Sequence, residues 1–503
     1  MKKGIKEKPF MWVVIGLVLL VSSGWGEIVN PQMDGTFIQI DGSVSQRTFT
    51  QWGNELALMR TIGMNTVITG AGRWGDTVYY PSSAAGVAET GSQPFEKILT
   101  VADTTGMSVY LGLFMDDGWW SNEGNGTFLD GMASKSTTVA GELWSLYSTH
   151  SSLKGWYITP ELDNWTTREE STRQTMVNHF LRPVSDYCHQ ISGLPVAIAP
   201  FFNSSLPMTA TNWESWWVST LSEASSVDLI IMQDGMGTHS GNLETTIPAY
   251  FGAVKRACDS TGRTLWSDME IFDQISTSPF TAIPATLSRI TAQIQYERTI
   301  VPGLVCWEYY YYMSPNRGIP EGELYSQYSA YLYGVPYSVK TNVALNCTYT
   351  AQPAVSTSYP DTGNAELTDG IIATYNWAGQ VGWSNPLTHP LITIDLNSSR
   401  NNLVEFWASF LMDTSSGVYL PEQVNVLVSD NGIDFTSAGV LTAPSNTNTQ
   451  ASNVFVLSGC NLSGRYIRFE VTPHAGTWLM SNELQVYQQE TQTSVECWEF
   501  MTE

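Results

Sequence analysis

Between Met33 and Tyr333, apolar residues fall in short β-branched runs separated by longer stretches where they recur every three or four positions. The runs predict eight strands: Gly35–Ile40, Asn65–Thr69, Ser108–Phe114, Gly155–Thr159, Pro195–Phe201, Asp228–Met232, Thr264–Asp268 and Gly303–Trp307. The stretches between them predict helices over Thr50–Ile62, Phe95–Thr105, Thr138–Ser148, Glu169–Ile191, Ile247–Asp259 and Ala285–Glu297. Gly63, Gly106, Gly193 and Gly262 follow four of these, where a residue free to adopt positive φ can end a helix. Eight strands alternating with helices is the count of a (β/α)8 TIM barrel, with a doubly wound parallel sheet as the alternative. Polar and acidic residues gather just past several strands, which favours the barrel.

Near Tyr337 the pattern changes. From Asn342 to Tyr487 helical spacing disappears and short alternating runs take over: Leu391–Leu396, Leu403–Phe410, Gln423–Ser429, Asn453–Leu457, Tyr466–Val471 and Glu483–Tyr487. Turn sequences such as Asp430-Asn431-Gly432 and Ser463-Gly464 divide them, as in an antiparallel β-sandwich. The expected organisation is a signal peptide at 1–26, a barrel at 27–334, a linker at 335–341, a sandwich at 342–489 and a polar tail at 490–503. In the first segment Lys2, Lys3, Lys6 and Lys8 precede the apolar run Phe10 to Val21, followed by Ser22, Ser23 and Gly24. That is the grammar of a secretory signal, the run being short of the roughly 20 residues a spanning helix needs, and an uncleaved anchor is the alternative. No Cys follows it, so a lipid anchor has no support. The expected location is secreted, periplasmic or at the cell surface, with no membrane insertion once the signal is cleaved.

Charge narrows the partners. The 503 residues carry a formal net charge of −24, and only 14% are Asp, Glu, Lys or Arg. So acidic a chain repels phosphate backbones and anionic headgroups, which excludes nucleic acid as an expected partner. The 19 Trp and 23 Tyr point instead to sugars, whose C–H faces pack on aromatic rings. The six Cys show no metal-binding spacing; one or two disulfides, for example Cys347 with Cys460 or Cys497, and buried small hydrophobes are both open readings. The six His likewise show no ligand spacing, and the HExxH and GxSxG motifs are absent.

In a barrel, catalytic groups project from the C-terminal strand ends. The fourth strand presents Glu161, with Asp163 two residues on; the seventh presents Glu270, with Asp268 its rival if the register slips by two. Asn203, Asp234 and the run Trp307, Glu308, Tyr309 end the fifth, sixth and eighth strands. Arg73 and Trp74 follow the second, and Asp116, Asp117, Trp119 and Trp120 the third. Glycoside cleavage needs two carboxyl groups flanking one bond, one protonated and one ionised. Separations of about 5–5.5 Å go with retention and about 6.5–9.5 Å with inversion. Arg73, Trp74, Asp163, Asn203, Asp234, Trp307, Glu308 and Tyr309 are the expected substrate contacts around the pair.

The pieces GTFIQ, LALMRTIGMNTVITG, TVYYPS, GWYITPELDNW and PGLVCWEYYYYMSP resemble a family of bacterial glycoside-hydrolase-like barrels of unknown function. More broadly the segment is similar to the clan of retaining β-glycosidase barrels. That resemblance implies Glu161 as acid/base and Glu270 as nucleophile. The clan has Asn directly before the acid/base, to hold the sugar 2-hydroxyl, where this chain has Pro160; Asn164 or Asn203 is the substitute to look for.

The C-terminal region resembles the discoidin, or coagulation factor 5/8 type C, fold that bacteria use as a carbohydrate-binding module. The matching residues are Asn342-Val343-Ala344, Leu367-Thr368-Asp369-Gly370, Trp383-Ser384, Ile392 to Leu396, Val428 to Gly432, Arg465 to Arg468 and Asn482-Glu483-Leu484. The resemblance implies a structural Ca2+ held by Asp369 and Glu483; a metal-free turn is the alternative. Trp478, Trp377 and Tyr375 are candidates to stack on a sugar. No organic cofactor is implied. The expected function is a secreted glycoside hydrolase tethered to its polysaccharide or glycoconjugate, and the alternative is a non-catalytic glycan-binding or adhesion protein.

Overall fold

The computed structural model describes residues 27–492, apart from 207, 279, 364, 373–376, 378, 385–388, 445–446 and 448. The expected signal segment, Cys497 and Tyr375 lie outside the described residues. The chain divides into two compact units that meet in sequence between Val335 and Pro336.

In the first unit eight parallel strands close on themselves. They are β1 (Gly35–Ile38), β2 (Thr66–Trp74), β3 (Ser108–Met115), β4 (Leu153–Ile158), β5 (Val196–Ile198), β6 (Leu229–Gln233), β7 (Thr264–Glu270) and β8 (Gly303–Trp307). β1 pairs with both β2 and β8, which removes the free edges a doubly wound sheet would keep.

A helix follows every strand. These are α1 (Phe49–Thr61), α2 (Pro94–Thr105), α3 (Gly126–Tyr147), α4 (Glu170–Met176 continuing through a π-turn into Arg182–Ser192), α5 (Ala210–Glu223), α6 (Thr246–Thr261), α7 (Leu287–Glu297) and α8 (Ile319–Leu332). Gly106, Gly193 and Gly262 cap α2, α4 and α6 with φ of 70°, 68° and 71°. α5 and α8 are absent from the periodicity reading. In α5 three tryptophans, Trp213, Trp216 and Trp217, carry the buried face and Thr209 caps its start.

The barrel is packed. Phe37, Ile68, Tyr157, Ala197, Ala199, Leu229, Ile231 and Val305 fill its axis, with Tyr110, Trp266 and Trp307 against them. Two of the rings need glycine opposite. A Cβ on Gly155 would sit 2.2 Å from Tyr110, and one on Gly303 would sit 2.5 Å from Trp266. With the axis filled, polar chemistry is confined to the strand ends above it.

The second unit is the antiparallel sandwich, built on β9 (Tyr337–Asn342), β10 (Tyr349–Gln352), β11 (Val381–Ser384), β12 (Leu391–Met412), β13 (Gln423–Ser429), β14 (Thr436–Val440), β15 (Ala451–Thr472) and β16 (Trp478–Gln492). Two pairs of expected strands are single long ones, β12 and β15, whose pairing shifts register between Asp395 and Glu405. Asn397 and Asn402 take positive φ in that stretch, which lets the strand bend without ending.

The expected linker is corrected. Tyr337 to Asn342 pair with Gln492 to Tyr487, so most of that segment is a sheet strand, drawn in by its partner's free edge. Cys347 and Cys460 are unbridged thiols, and burial raises the pKa of both.

Candidate functional site

Glu161 lies three residues past β4 on a loop tied at both ends. The Thr159 hydroxyl donates to the Phe114 carbonyl at 2.7 Å, and the Trp119 indole donates to the Glu161 carbonyl at 2.9 Å. Trp119 is fully buried against Phe180, so it locks the loop and does not line a cleft. Trp119→Ala is therefore expected to cost about 3–5 kcal/mol of barrel stability, read by denaturant unfolding. The Glu161 side chain is partly exposed. Its pKa is raised to about 7, chiefly by burial of the carboxyl and further by Asp163, while a hydrogen bond with Gln233 opposes the rise.

Glu270 ends β7, in register with Trp307 of β8. Its backbone is held from two sides: the N–H donates to Asp234 Oδ1 at 3.0 Å, and Arg289 donates to the carbonyl at 2.9 Å. One carboxylate oxygen accepts the Thr238 N–H at 2.8 Å, from the glycine-containing loop after β6. Burial, then the Asp234 charge, pushes its pKa to about 7 as well. The Thr238 amide pulls the other way, because a backbone donor favours the ionised form.

Asp268 lies within electrostatic reach of both. It sits two residues below Glu270 on the same strand face, only 2% exposed, with Oδ1 lacking a hydrogen-bond partner. Burial raises its pKa well above the usual carboxylate range, and the charges of Asp234, Glu270, Glu161 and Glu308 raise it further. Carboxyl groups from β4, β6, β7 and β8 thus converge on it. Glu308 is 1% exposed; its Oε2 accepts the Gln39 N–H at 2.7 Å, its Oε1 is unpartnered, and burial pushes its pKa to about 8. Arg289 is directed elsewhere: it meets Asp273 at 3.4 Å and donates to the carbonyls of Glu270 and Phe272.

Several expected contacts serve the scaffold instead. Asp163 is buried and accepts from Trp165 N, Thr166 N and Thr166 Oγ1 at 2.6, 2.8 and 2.5 Å, so it caps a turn and reaches Glu161 only through its charge. Arg73 turns back to the Gly75 carbonyl and Asp76. Asp234 is wholly buried, accepting from Met236 N, Glu270 N and Gln293 Nε2; it positions β7 and does not face solvent.

Tyr309 is core. It is fully buried beside Tyr325, on the side of Glu55. Asn164 exchanges both polar groups with the Asn203 backbone, and the Asn203 side chain accepts from Ser205 N. Asn164 is thus committed to holding the Asn203 backbone, whereas the half-buried Asn203 amide makes one local bond only. Trp307 keeps partial exposure at the top of the axis, 5.8 Å from Phe37. Trp74, Trp120 and Trp165 are 38%, 44% and 45% exposed, and Trp74 is steadied by a 3.1 Å hydrogen bond to Asp117.

In the sandwich, Glu483 Oε1 accepts from Gly370 N and Gln485 Nε2, while its buried Oε2 has no partner. Burial and neighbouring Asp369 raise its pKa to about 8. The orphaned Glu483 oxygen beside Asp369 fits a hard cation, whose charge would take the place of the Glu483 proton. No cluster of three or more acidic, His or Cys side chains with metal-site geometry occurs among the described residues, so carbonyl oxygens would complete such a shell. Trp478 is partly buried, edge-on to Tyr359 at 5.4 Å.

Residues 33–318, more than half of the chain, match the model of a family described as a domain of unknown function, DUF4434. The chain belongs to the DUF4434 family. The "Uncharacterized protein YbcH" of Escherichia coli K12 is 26% identical over 207 residues, 40% of this chain and 63% of that protein. The chain thus matches less than two thirds of this curated relative's length. Among solved structures, a candidate alpha-L-fucosidase from Bacteroides thetaiotaomicron aligns with 66% of this chain and 98% of its own, with TM-score 0.52 and 21% identity. At that identity the likeness is one of fold. A chitosan-binding module of Paenibacillus sp. IK-5 covers 29% of this chain and 98% of its own, at TM-score 0.23 and 16% identity. A Clostridium perfringens family 32 module, solved with galactose, covers 30% and 100%, also at TM-score 0.23 and 16% identity.

Within this DUF4434 barrel the parts played by three residues escaped sequence reasoning. Asp268, expected only as a rival to Glu270, had a signal in the two-residue alternation that puts both on one strand face. Thr238 acts through its backbone N–H, which any residue type except proline could supply. Tyr312 packs against Phe272 with ring centroids 5.1 Å apart and tilted by 31°, and burial, then Glu308 and Glu270, raise its pKa to about 12.

Proposed function

We propose that the barrel is a glycoside hydrolase in which Glu161 is the acid/base and Glu270 the nucleophile. What supports this reading is the placement of Glu161 and Glu270 at the C-terminal ends of β4 and β7 around the buried Asp268, in surroundings where burial raises both pKa values to about 7. The assignment of roles follows from their partners. Asp163 beside Glu161 favours its neutral form, while the Thr238 amide on Glu270 favours its anion.

In the first step Glu161 gives its proton to the glycosidic oxygen as the Glu270 carboxylate attacks the anomeric carbon, releasing the leaving sugar and forming a glycosyl ester. In the second, Glu161 takes a proton from water as that water displaces Glu270, freeing the first sugar with its configuration retained. The exposed tryptophans at the rim suit the apolar faces of a polymer.

The sandwich, in this reading, is a carbohydrate-binding module that raises the local substrate concentration. Asp369 and Glu483 hold Ca2+ there, and the chain is exported by its first 26 residues. Chelation is expected to lower the unfolding midpoint of the sandwich transition and added Ca2+ to restore it, followed by calorimetry.

The deciding experiment incubates the purified full chain with a panel of polysaccharides and reads new reducing ends, with Glu161→Gln and Glu270→Gln as controls. Cleavage that survives in both variants overturns the assignment. Binding without cleavage of any glycan favours an adhesion role. The anomer released first, seen by NMR, separates retention from inversion.

A further inference from the structure

The sandwich holds a pocket of about 350 Å3 that the chemistry of the barrel leaves unused. It opens to solvent at the C-terminal end of β13, between the turn from Ser429 to Asp434, the start of β14 and the Leu462-Ser463 segment of β15. That volume lies at the low end of the ~300–1,000 Å3 of small-molecule sites and gives room for one sugar ring. The pocket is separate from the loops around Trp478. Gln423 at the start of β13 pairs with Thr472, just before those loops, whereas Ser429 at its end pairs with Tyr466. Seven strand residues at about 3.3 Å each put the two ends roughly 20 Å apart.

One wall is held in shape by the chain itself. Asn431 Oδ1 accepts the N–H groups of Ile433 and Asp434, both at 2.9 Å, and Ser429 Oγ accepts that of Gly432 at 3.0 Å. Asp430 Oδ1 accepts from the Ser399 hydroxyl at 2.8 Å, and Asp434 Oδ2 from the Asn431 amide at 2.9 Å. The second oxygen of each carboxylate takes no hydrogen bond from the chain among the described residues, and neither do the hydroxyls of Thr436, Ser437 and Ser463. These five residues are exposed, so a ligand reaches them from solution. A wall already ordered spares the ligand that cost.

The lining selects by chemistry. Carboxylates accept strong hydrogen bonds from hydroxyl donors, and the three hydroxyls both donate and accept. Val428 and Leu462 add an apolar patch suited to ring C–H groups. A pyranose presents both kinds of surface. A bare cation fills little of the volume and none of the apolar patch. No Lys or Arg is among the described lining residues, so a uronate or sulfated sugar meets two like charges without a counter-charge.

We propose that this pocket is a glycan-binding site apart from the Trp478 loops, taking one neutral hexose unit whose hydroxyls donate to Asp430 and Asp434. The proposal deepens the reading of the sandwich as a carbohydrate-binding module and is independent of cleavage. Its test titrates the full chain with the methyl glycosides of glucose, galactose, mannose and galacturonic acid, followed by saturation-transfer NMR. Hydrogen exchange read by mass spectrometry locates the contact.

At least one neutral glycoside is expected to bind saturably and the galacturonate not at all, with amide exchange slowed over residues 428–437 and 462–464. Ser437→Phe fills the pocket from an exposed strand position and should abolish that slowing. Asp434→Asn keeps the shape without the charge and should weaken binding about tenfold. Thermal unfolding checks that both variants fold, and either one alone is informative. No binding of any neutral glycoside, equal binding of the galacturonate, or full affinity kept at this pocket by either folded variant overturns the site. Slowing confined to the residues around Trp478 also overturns it, while leaving the module reading in place.

Discussion

Glu270→Gln is expected to lower kcat on the best glycan of the panel by roughly 10³-fold or more, with KM little changed. In the proposed mechanism its carboxylate supplies the bond that replaces the departing sugar, and a neutral amide cannot form that ester. Glu161→Gln should lose about 10²–10⁴-fold on a natural glycan, since general acid catalysis contributes on that scale. The two losses differ in a telling way. With an aryl glycoside whose leaving group needs no proton, the first step of Glu161→Gln should recover, whereas Glu270→Gln should stay inactive on both substrates. A Glu161 variant that is equally impaired on both substrates would refute its role as acid.

The pH profile follows from the same pair. The active form has Glu161 protonated and Glu270 ionised, and both titrate near pH 7. Activity should be bell-shaped and narrow around neutrality, with limbs that belong to the pair and not to either residue alone.

The second large effect is on stability. Glu161, Glu270 and Glu308 ionise near pH 7, 7 and 8 in the folded barrel, against about 4.5 for a free glutamate. Across that interval the folded state binds more protons than the unfolded state, so unfolding free energy falls as pH rises. The stabilising contribution of each raised group is fully present below about pH 4.5 and is lost as the pH climbs through 7 to 8. Each tenfold difference in proton affinity between folded and unfolded states is worth about 1.4 kcal/mol. Because the carboxyls share one space, protonating one eases the repulsion on the next, and their contributions are not simply additive.

The barrel's unfolding midpoint is therefore expected to be on the order of 10 °C higher at pH 5 than at pH 8. Glu308→Gln should flatten that slope by removing one titrating group. A barrel equally stable at both pH values would show that these carboxyls are not buried together. The opposite dependence comes from Asp41, Asp103 and Glu142, whose pKa values are lowered by hydrogen bonds that outweigh their partial burial, so protonating them in more acidic solution destabilises the fold. The two trends place the optimum in mildly acidic solution.

Eight strands and six of the eight long helices were legible from hydrophobic spacing, because a barrel strand buried on both faces needs a run of β-branched residues. α5 was hidden by composition: its buried stripe is made of three tryptophans, Trp213, Trp216 and Trp217, rather than of aliphatic residues at helical spacing. The Tyr337 to Asn342 strand was hidden by its neighbour, since an edge pairing partner about 150 residues away leaves no local trace.

Glu161 and Glu270 were visible as residues at or just past the ends of β4 and β7, where closure of the barrel must bring side chains to one rim. The duties of the polar residues around them were not visible. Asp163 and Asp234 have the same chemistry as the acids of the pair, yet each is taken by backbone N–H donors within hydrogen-bond reach. Asp268 and Glu308 each keep an oxygen without a partner.

Periodicity and strand-end position depend only on chain-local geometry, so they survive in a one-dimensional string. Which carboxyl is satisfied, which is left open, and what proton affinity each acquires depend on burial and on charges contributed by other strands. Those quantities exist only once the barrel has closed.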